Sequence, residues 1–391
     1  MSARRSLFSS VLLIALCMPV SARAQDTVAD VISFLMTNQS VRTGDFERDR
    51  VAAEAAREAV ANALLVNLTS TPVATSSSGF LYRLNPDLGT VERATESFGS
   101  FFVERALPAG PGRASFGVSA TTTTFRRLDG HSLRDGSFVT VANRFRDEPA
   151  PFDTESLTLN VTTSTMTLFG SVGVTDRLEI GAAVPFVRLT LDGARVNVYR
   201  GDSFVQARGS ASASGVADIA LRAKYTLLPL RSGGVAAAVE FRLPTGDEAN
   251  LLGTGARSLR IVGIGSLEQG RFALHGNGGF LRGGASNELS FAGAASYAVS
   301  PRVTVSGEVV ARYVEALREV LALSEAHPTI GGVDTLRLVA GEQGRTVVNA
   351  VGGVKWNVNA TLVVAAHLVW PLTSAGLTPR ATPTIAFEYA F

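Results

Sequence analysis

Cysteine occurs once in the 391 residues, at Cys17, and lysine only twice, at Lys224 and Lys355. A lone cysteine excludes a disulfide framework and a thiolate metal site. Scarce lysine leaves a soluble sheet without its commonest guard against edge-to-edge pairing. Past residue 24 no apolar stretch reaches the ~20 residues of a spanning helix, because charged or other polar residues interrupt them all. Histidine is limited to four residues, and neither G-x-S-x-G nor H-E-x-x-H is present, so nothing announces a hydrolase elbow or a zinc protease. The glycines of "GSVGVTDRLEIG" lack a P-loop lysine and fall on a turn between strands. No cofactor or metal is called for, and catalytic residues are not expected. "PTGDE" (244–248) reads as a shaped turn with too few oxygen ligands for a calcium cage.

What is present begins with an export signal. Arg4 and Arg5 precede an apolar run from Leu7 to about Val20, and Ala22-Arg23-Ala24 offers small residues at −3 and −1 of a cut before Gln25. Loss of residues 1–24 removes Arg4, Arg5 and Arg23, so 36 Lys+Arg less three leaves 33 against 34 Asp+Glu. The basic balance belongs largely to the signal, and nucleic acid is not an expected partner.

From about residue 95 the apolar period is two. Val235, Val239, Phe241 and Leu243 alternate with Ala236, Ala238, Glu240 and Arg242; Val303, Val305, Val309 and Tyr313 alternate with Thr304, Ser306, Glu308 and Arg312. Connections between such runs alternate short and long. The short ones include 173–177, 229–234, 267–270, 299–302 and 357–360; the longer ones include 128–153, 193–213, 246–256, 317–345 and 373–380. Tight turns on one side and larger loops on the other mark a transmembrane antiparallel β-barrel. A soluble sandwich alternates too, but a closed barrel of a dozen or more strands is too wide for apolar side chains to fill. Here the second face is small or charged, as a wet lumen requires.

The expected fold class is therefore all-β, a barrel of about 14 strands with 12 as the alternative, behind an N-terminal helical segment. Twelve strands fall near 113–127, 155–172, 177–192, 214–227, 233–245, 257–267, 271–283, 287–299, 302–316, 346–357, 361–372 and 381–391. A thirteenth at 95–107 and a short fourteenth at 77–84 complete an even number; if 77–107 forms a hairpin outside the wall, twelve remain. Expected domains are the signal (1–24), a periplasmic or plug segment (25–76) and the barrel (77–391). "DFERDRVAAEAAREAVANALLVNL" (45–68) reads as an amphipathic helix preceded by the apolar "VADVISFLM" (28–36). It either packs under the barrel, plugs the lumen or binds a partner.

If the apolar rows face lipid, Asp218, Arg222, Lys224, Glu240 and Arg242 face inward as a cross-strand ionic ladder, extended by Arg260, His275, Asn277, Glu308, Arg312 and His367. Such a ladder stiffens the wall or selects permeants. "TPTIAFEYAF" puts Ile385, Phe387, Tyr389 and Phe391 on one face and Thr384, Ala386 and Glu388 on the other. Pairing with the first wall strand would satisfy its backbone in lipid. The row resembles the C-terminal signal of bacterial outer-membrane proteins, which implies insertion by the barrel-assembly machinery.

"GSVGVTDRLEIGAAVPFVRL" (170–189), "GVADIALRAKYTLL" (215–228) and "VEFRLPTGDEANLLGTG" (239–255) resemble the outer-membrane family named for the meta-pathway of phenol degradation, over about residues 95–391. That resemblance implies a channel related to hydrocarbon and fatty-acid transporters. The expectation is a Gram-negative outer-membrane channel, not an enzyme, for passive uptake of small, hydrophobic or aromatic molecules. Its partners are membrane lipid and a small permeant, and loops 128–153 and 317–345 contribute to specificity. The rival readings are a structural or adhesive barrel and, further off, a rim hydrolase using His275 or His367.

Overall fold

A computed structural model of the chain describes residues 26–37, 41, 43–69, 82–85, 90–93, 96–230, 232–359 and 361–391. The export signal and most of the expected strand at 77–84 lie outside the described residues. Among the described residues two helices come first, α1 (Val28–Thr37) and α2 (Phe46–Thr69), then a separate hairpin of β1 (Tyr82–Asn85) and β2 (Thr90–Arg93). Thr27 and Asp30 start α1 with a reciprocal cap: the Asp30 N–H donates to Thr27 Oγ1 at 3.1 Å, and the Thr27 N–H donates to Asp30 Oδ2 at 3.0 Å.

The wall is a closed ring of antiparallel strands. In chain order they are β3 (Ala114–Leu128), β6 (Asp153–Gly173), β7 (Leu178–Tyr199), β9 (Ile219–Leu230), β10 (Gly233–Leu243), β11 (Ser258–Gln269), β12 (Phe272–Gly283), β13 (Glu288–Ser300), β14 (Val303–Ala326), β15 (Val333–Asn359), β16 (Leu362–Pro371) and β18 (Thr382–Ala390). Four more, β4 (His131–Ser132), β5 (Val139–Phe145), β8 (Asp202–Val216) and β17 (Leu377–Pro379), attach to it at one end. The seam joins β18 to β3, from Thr384 opposite Thr121 to Ala390 opposite Ser115. Ala114 and Phe391 exchange N–H···O bonds of 3.0 Å. No edge is left in the ring, which is the condition for strands in hydrocarbon.

The barrel thus has 12 strands, which corrects the favoured count of 14. The expected strand at 95–107 is not in the wall. Phe101, Phe102 and Val103 are consecutive apolar residues, and Phe98 through Val103 are buried apart from a half-buried Phe102. A wall strand exposes every second side chain to lipid; this segment exposes none and runs inside the barrel.

Alternation appears in the burial of the wall strands, most plainly in β12, β13 and β14. Outward side chains such as Val235, Ile261, Leu274, Phe291 and Val309 are exposed, while inward ones such as Ala236, Ile264, His275 and Glu308 are buried. The outward row of β18 is Ile385, Phe387 and Tyr389, continued by the exposed Phe391, and Thr384 and Glu388 point in. Exposed apolar rows on every side of a closed ring belong in lipid, not water.

Strand heights differ. β10 to β13 have 11 to 13 residues, close to the ~9–11 that cross a bilayer. β6 and β7 have 21 and 22, and β14 and β15 have 24 and 27. The stretches expected as loops 193–213 and 317–345 are these tall hairpins, the first completed by β8. The stretch 128–153 folds back as β4 and β5, and β5 bridges β6 to β15. Together they form an upper storey at the loop end, opposite the tight turns.

Candidate functional site: a lumen filled at two levels

The upper level is apolar. Val28, Val31, Ile32 and Leu35 of α1 and Ala56, Val60 and Ala63 of α2 join one buried cluster with Leu157, Leu159, Leu189, Leu191, Val314 and Leu317 of the wall. The helices bring their own backbone hydrogen bonds, so this wall need supply only apolar surface. One buried ion pair, Glu155 with Arg195, fixes the end of α1: Arg195 donates to the Leu35 carbonyl at 2.6 Å, and Glu155 accepts the Val41 N–H at 3.3 Å. The expected shaped turn at 244–248 serves the same cap. Its neighbours Ala249 and Asn250 accept the N–H groups of Ala29 and Val28 at 3.1 and 3.3 Å.

The lower level is a strap, residues 96–110, that crosses the lumen near the turn end. It has no strand partner, so wall side chains satisfy its backbone. Thr304 Oγ1 accepts the Phe98 N–H at 3.0 Å. Glu308 accepts the N–H groups of Phe101, Phe102 and Val103, the last two at 2.9 and 3.1 Å. On the opposite wall, Ser266 Oγ accepts the Ala106 N–H at 2.8 Å, Thr226 Oγ1 donates to the Ala106 carbonyl at 2.7 Å, and Glu179 accepts the Ala109 N–H at 3.1 Å. Both lysines of the chain grip the strap: Lys355 Nζ donates to the Ser100 carbonyl at 2.6 Å, and Lys224 Nζ to that of Leu107 at 3.3 Å. Glu104 pairs with Arg222, and Arg105 lies 3.8 Å from Glu268. Burial pushes the Arg105 guanidinium below its ordinary pKa, opposed by Glu268 and Glu388.

Between the levels lies a polar zone. Arg242 bonds Glu240 at 2.8 Å, and Glu288 takes Arg312 at 3.3 Å with Arg260 at 3.7 Å. A cavity of about 60 Å³ remains there, lined among others by Phe102, Glu104, Arg222, Glu240, Arg260 and Arg312.

The structure gathers most of the expected lumen residues but gives them different partners. Register sets Glu240 between Arg222 and Arg260, yet Glu240 pairs within its own strand and Arg222 turns to the strap. Asp218 leaves the ladder: its carboxylate accepts the N–H groups of Gly246 and Thr254 at 3.1 and 2.9 Å and anchors the β10–β11 loop. His275 Nδ1 is 3.0 Å from Ser266 Oγ. His367 stacks on Phe101 and Phe102 with ring centroids 4.5 and 5.2 Å away. Both histidines sit within the barrel at strap level, away from the loop-end rim a hydrolase would use. Lys355, Glu288, Glu179, Glu268 and Glu104 were not among the expected residues. Strand parity alone points to Glu288, two places before the inward Ser290, whereas Glu104 was misread with its segment.

A closed antiparallel ring, an apolar belt on its outside and charge on its inside define a transmembrane β-barrel of the bacterial outer-membrane type. The model of the family described as "Putative MetA-pathway of phenol degradation" matches residues 135–316. All three sequence segments that carried the resemblance lie within that match, which is shorter than the expected 95–391. Among solved structures the chain is similar to an outer membrane channel from Pseudomonas putida F1, at 16% identity over 73% of this chain and 97% of that one, with a TM-score of 0.45. It is also similar to the toluene transporter TbuX of Ralstonia pickettii, at 11% identity over 72% and 90% of the two chains and a TM-score of 0.32. A Pseudomonas aeruginosa FadL homologue follows at 11% identity over 71% and 89%, with a TM-score of 0.30. No curated protein matches.

Proposed function

We propose that this protein is an outer-membrane channel for the passive passage of small molecules, aromatic ones in particular. The observation that carries the reading is the charged inner face of Arg222, Glu240, Arg260, Glu288 and Arg312, held in a ring whose outer face is apolar. Charge in such a lumen serves either wall stiffness or passage. The family match and the ring cluster of Phe101, Phe102 and His367 support an aromatic permeant. The ionic zone favours aromatic compounds bearing a hydroxyl or carboxylate over alkanes.

Liposome swelling with a panel of aromatics, alkanes and sugars tests this. Faster passage of polar aromatics is the expected result, and equal rates for all solutes would leave only a general porin. A second reading, a structural barrel without transport, draws on the filled lumen. Planar-bilayer recordings separate the two, since a structural barrel conducts nothing.

A further inference from the structure

We propose that residues 98–106 are a gate across the lumen and that the carboxylate of Glu308 is its latch; the inference rests on the channel reading above. The cavity of about 60 Å³ beside the strap is well below the ~150 Å³ that holds a benzene-sized guest. A ring-sized solute therefore does not fit this cavity with the strap in place.

Three features equip the strap to move. First, no wall strand pairs with it, so its release breaks no ladder and leaves the ring closed. Second, its exit to β3 runs through Pro108 and Pro111 around Gly110 and Gly112, whose φ angles are 95° and 72°. Such glycines supply a pivot that other residues adopt only with strain. The pivot lies flush on the end of β6, where a Cβ on Gly173 would fall 1.9 Å from the Gly110 carbonyl oxygen. Third, the hold is concentrated: three successive amides, those of Phe101, Phe102 and Val103, converge on the single carboxylate of Glu308. Consecutive N–H groups around one anion form a charge-assisted nest, stronger than neutral bonds such as those of Phe98 to Thr304 and Ala106 to Ser266. Lys355 grips the preceding carbonyl, that of Ser100, at 2.6 Å. Glu308 acts here as a positioning residue, setting where the strap lies.

Planar-bilayer recordings on the purified full chain test the gate, with heat-modifiable gel mobility as the check on folding. Glu308→Gln keeps the shape but turns an amide toward the three N–H donors; it should raise the open fraction by roughly tenfold, the size of effect expected when one charge-assisted contact is lost. The pair Ala106→Cys with Ser266→Cys leaves Glu308 in place and ties the strap to β11 where the two residues touch. Oxidation should abolish conductance, and reduction should restore it. If the oxidised pair conducts as well as the reduced one, or folded Glu308→Gln conducts no more than wild type, the gate is overturned and the channel reading stands. If no form conducts, including reduced Cys pair and Glu308→Gln, the channel reading falls and takes the gate with it.

Discussion

The cap of α1 and α2 and the strap at 96–110 fill the same lumen by opposite means. A helix arrives with its backbone hydrogen bonds made, so the wall around the cap can be leucine and valine. An extended strap arrives with few, Ser100 to the Val103 carbonyl and Arg105 to the Ser97 carbonyl among them, so the wall around it must offer Thr226, Ser266, Thr304, Glu308 and two lysines. The two-tier lining therefore follows from the secondary structure of what fills it. The apolar tier is non-directional and tolerates small shifts; the polar tier fixes its occupant at particular atoms.

Mutations at each level should have separable effects. Arg195→Ala is expected to act most strongly, because it strands the Glu155 carboxylate in a buried site and removes the hold on Leu35. Breaking such a pair costs ~3–5 kcal/mol, and limited proteolysis should show α1 released while the barrel stays folded. Protection unchanged from wild type would mean the apolar cluster alone holds the cap. Both fillings presuppose the same wall, so Val309→Arg on its outer face should loosen them together. The expected loss is ~2–4 kcal/mol for a base at mid-depth, read by denaturant unfolding in lipid vesicles; a neutral result would place that face in water.

Arg222→Ala breaks the contact to Glu104 and should cost about 1.5–3 kcal/mol of strap anchoring. Single-channel conductance should change while protease protection of the cap does not, and a cap effect of equal size would show the levels to be coupled. The smallest effect belongs to Arg146→Ala. Its partner Asp334 is 2.8 Å away, but Arg146 is largely exposed, so unfolding should shift by no more than ~1 kcal/mol.

Much of the wall was legible because a strand with one face in lipid must alternate. All twelve strands expected between 113 and 391 are present, with ends displaced by a few residues for the short ones. The errors have one origin: segments that are not two-faced. Residues 97–106 carry apolar side chains at strand-like density yet are covered apart from a half-buried Phe102, and from sequence a covered segment differs from a wall strand only by Phe101-Phe102-Val103. The tall hairpins at 193–213 and 317–345 were read as loops because above the bilayer the wall no longer keeps its apolar row outside: in the adjoining part of β6 Leu157, Leu159 and Val161 are buried while Thr158, Asn160 and Thr162 face out. Among the inner residues, parity placed Arg222, Glu240, Arg260 and Arg312 correctly. It could not choose their partners, because each charge has several neighbours within reach and one of them, Glu104, comes from far along the chain.

By itself, the sequence determined which face of each strand meets lipid, since every apolar or charged side chain carries that preference wherever it lies. Tertiary structure alone decided that the ring closes at twelve strands, that the chain doubles back through its own lumen and that both lysines are spent on holding it there. Those outcomes depend on contacts between residues far apart in the chain, Phe98 with Thr304 and Ser100 with Lys355 among them, and no local pattern encodes a partner two hundred positions away.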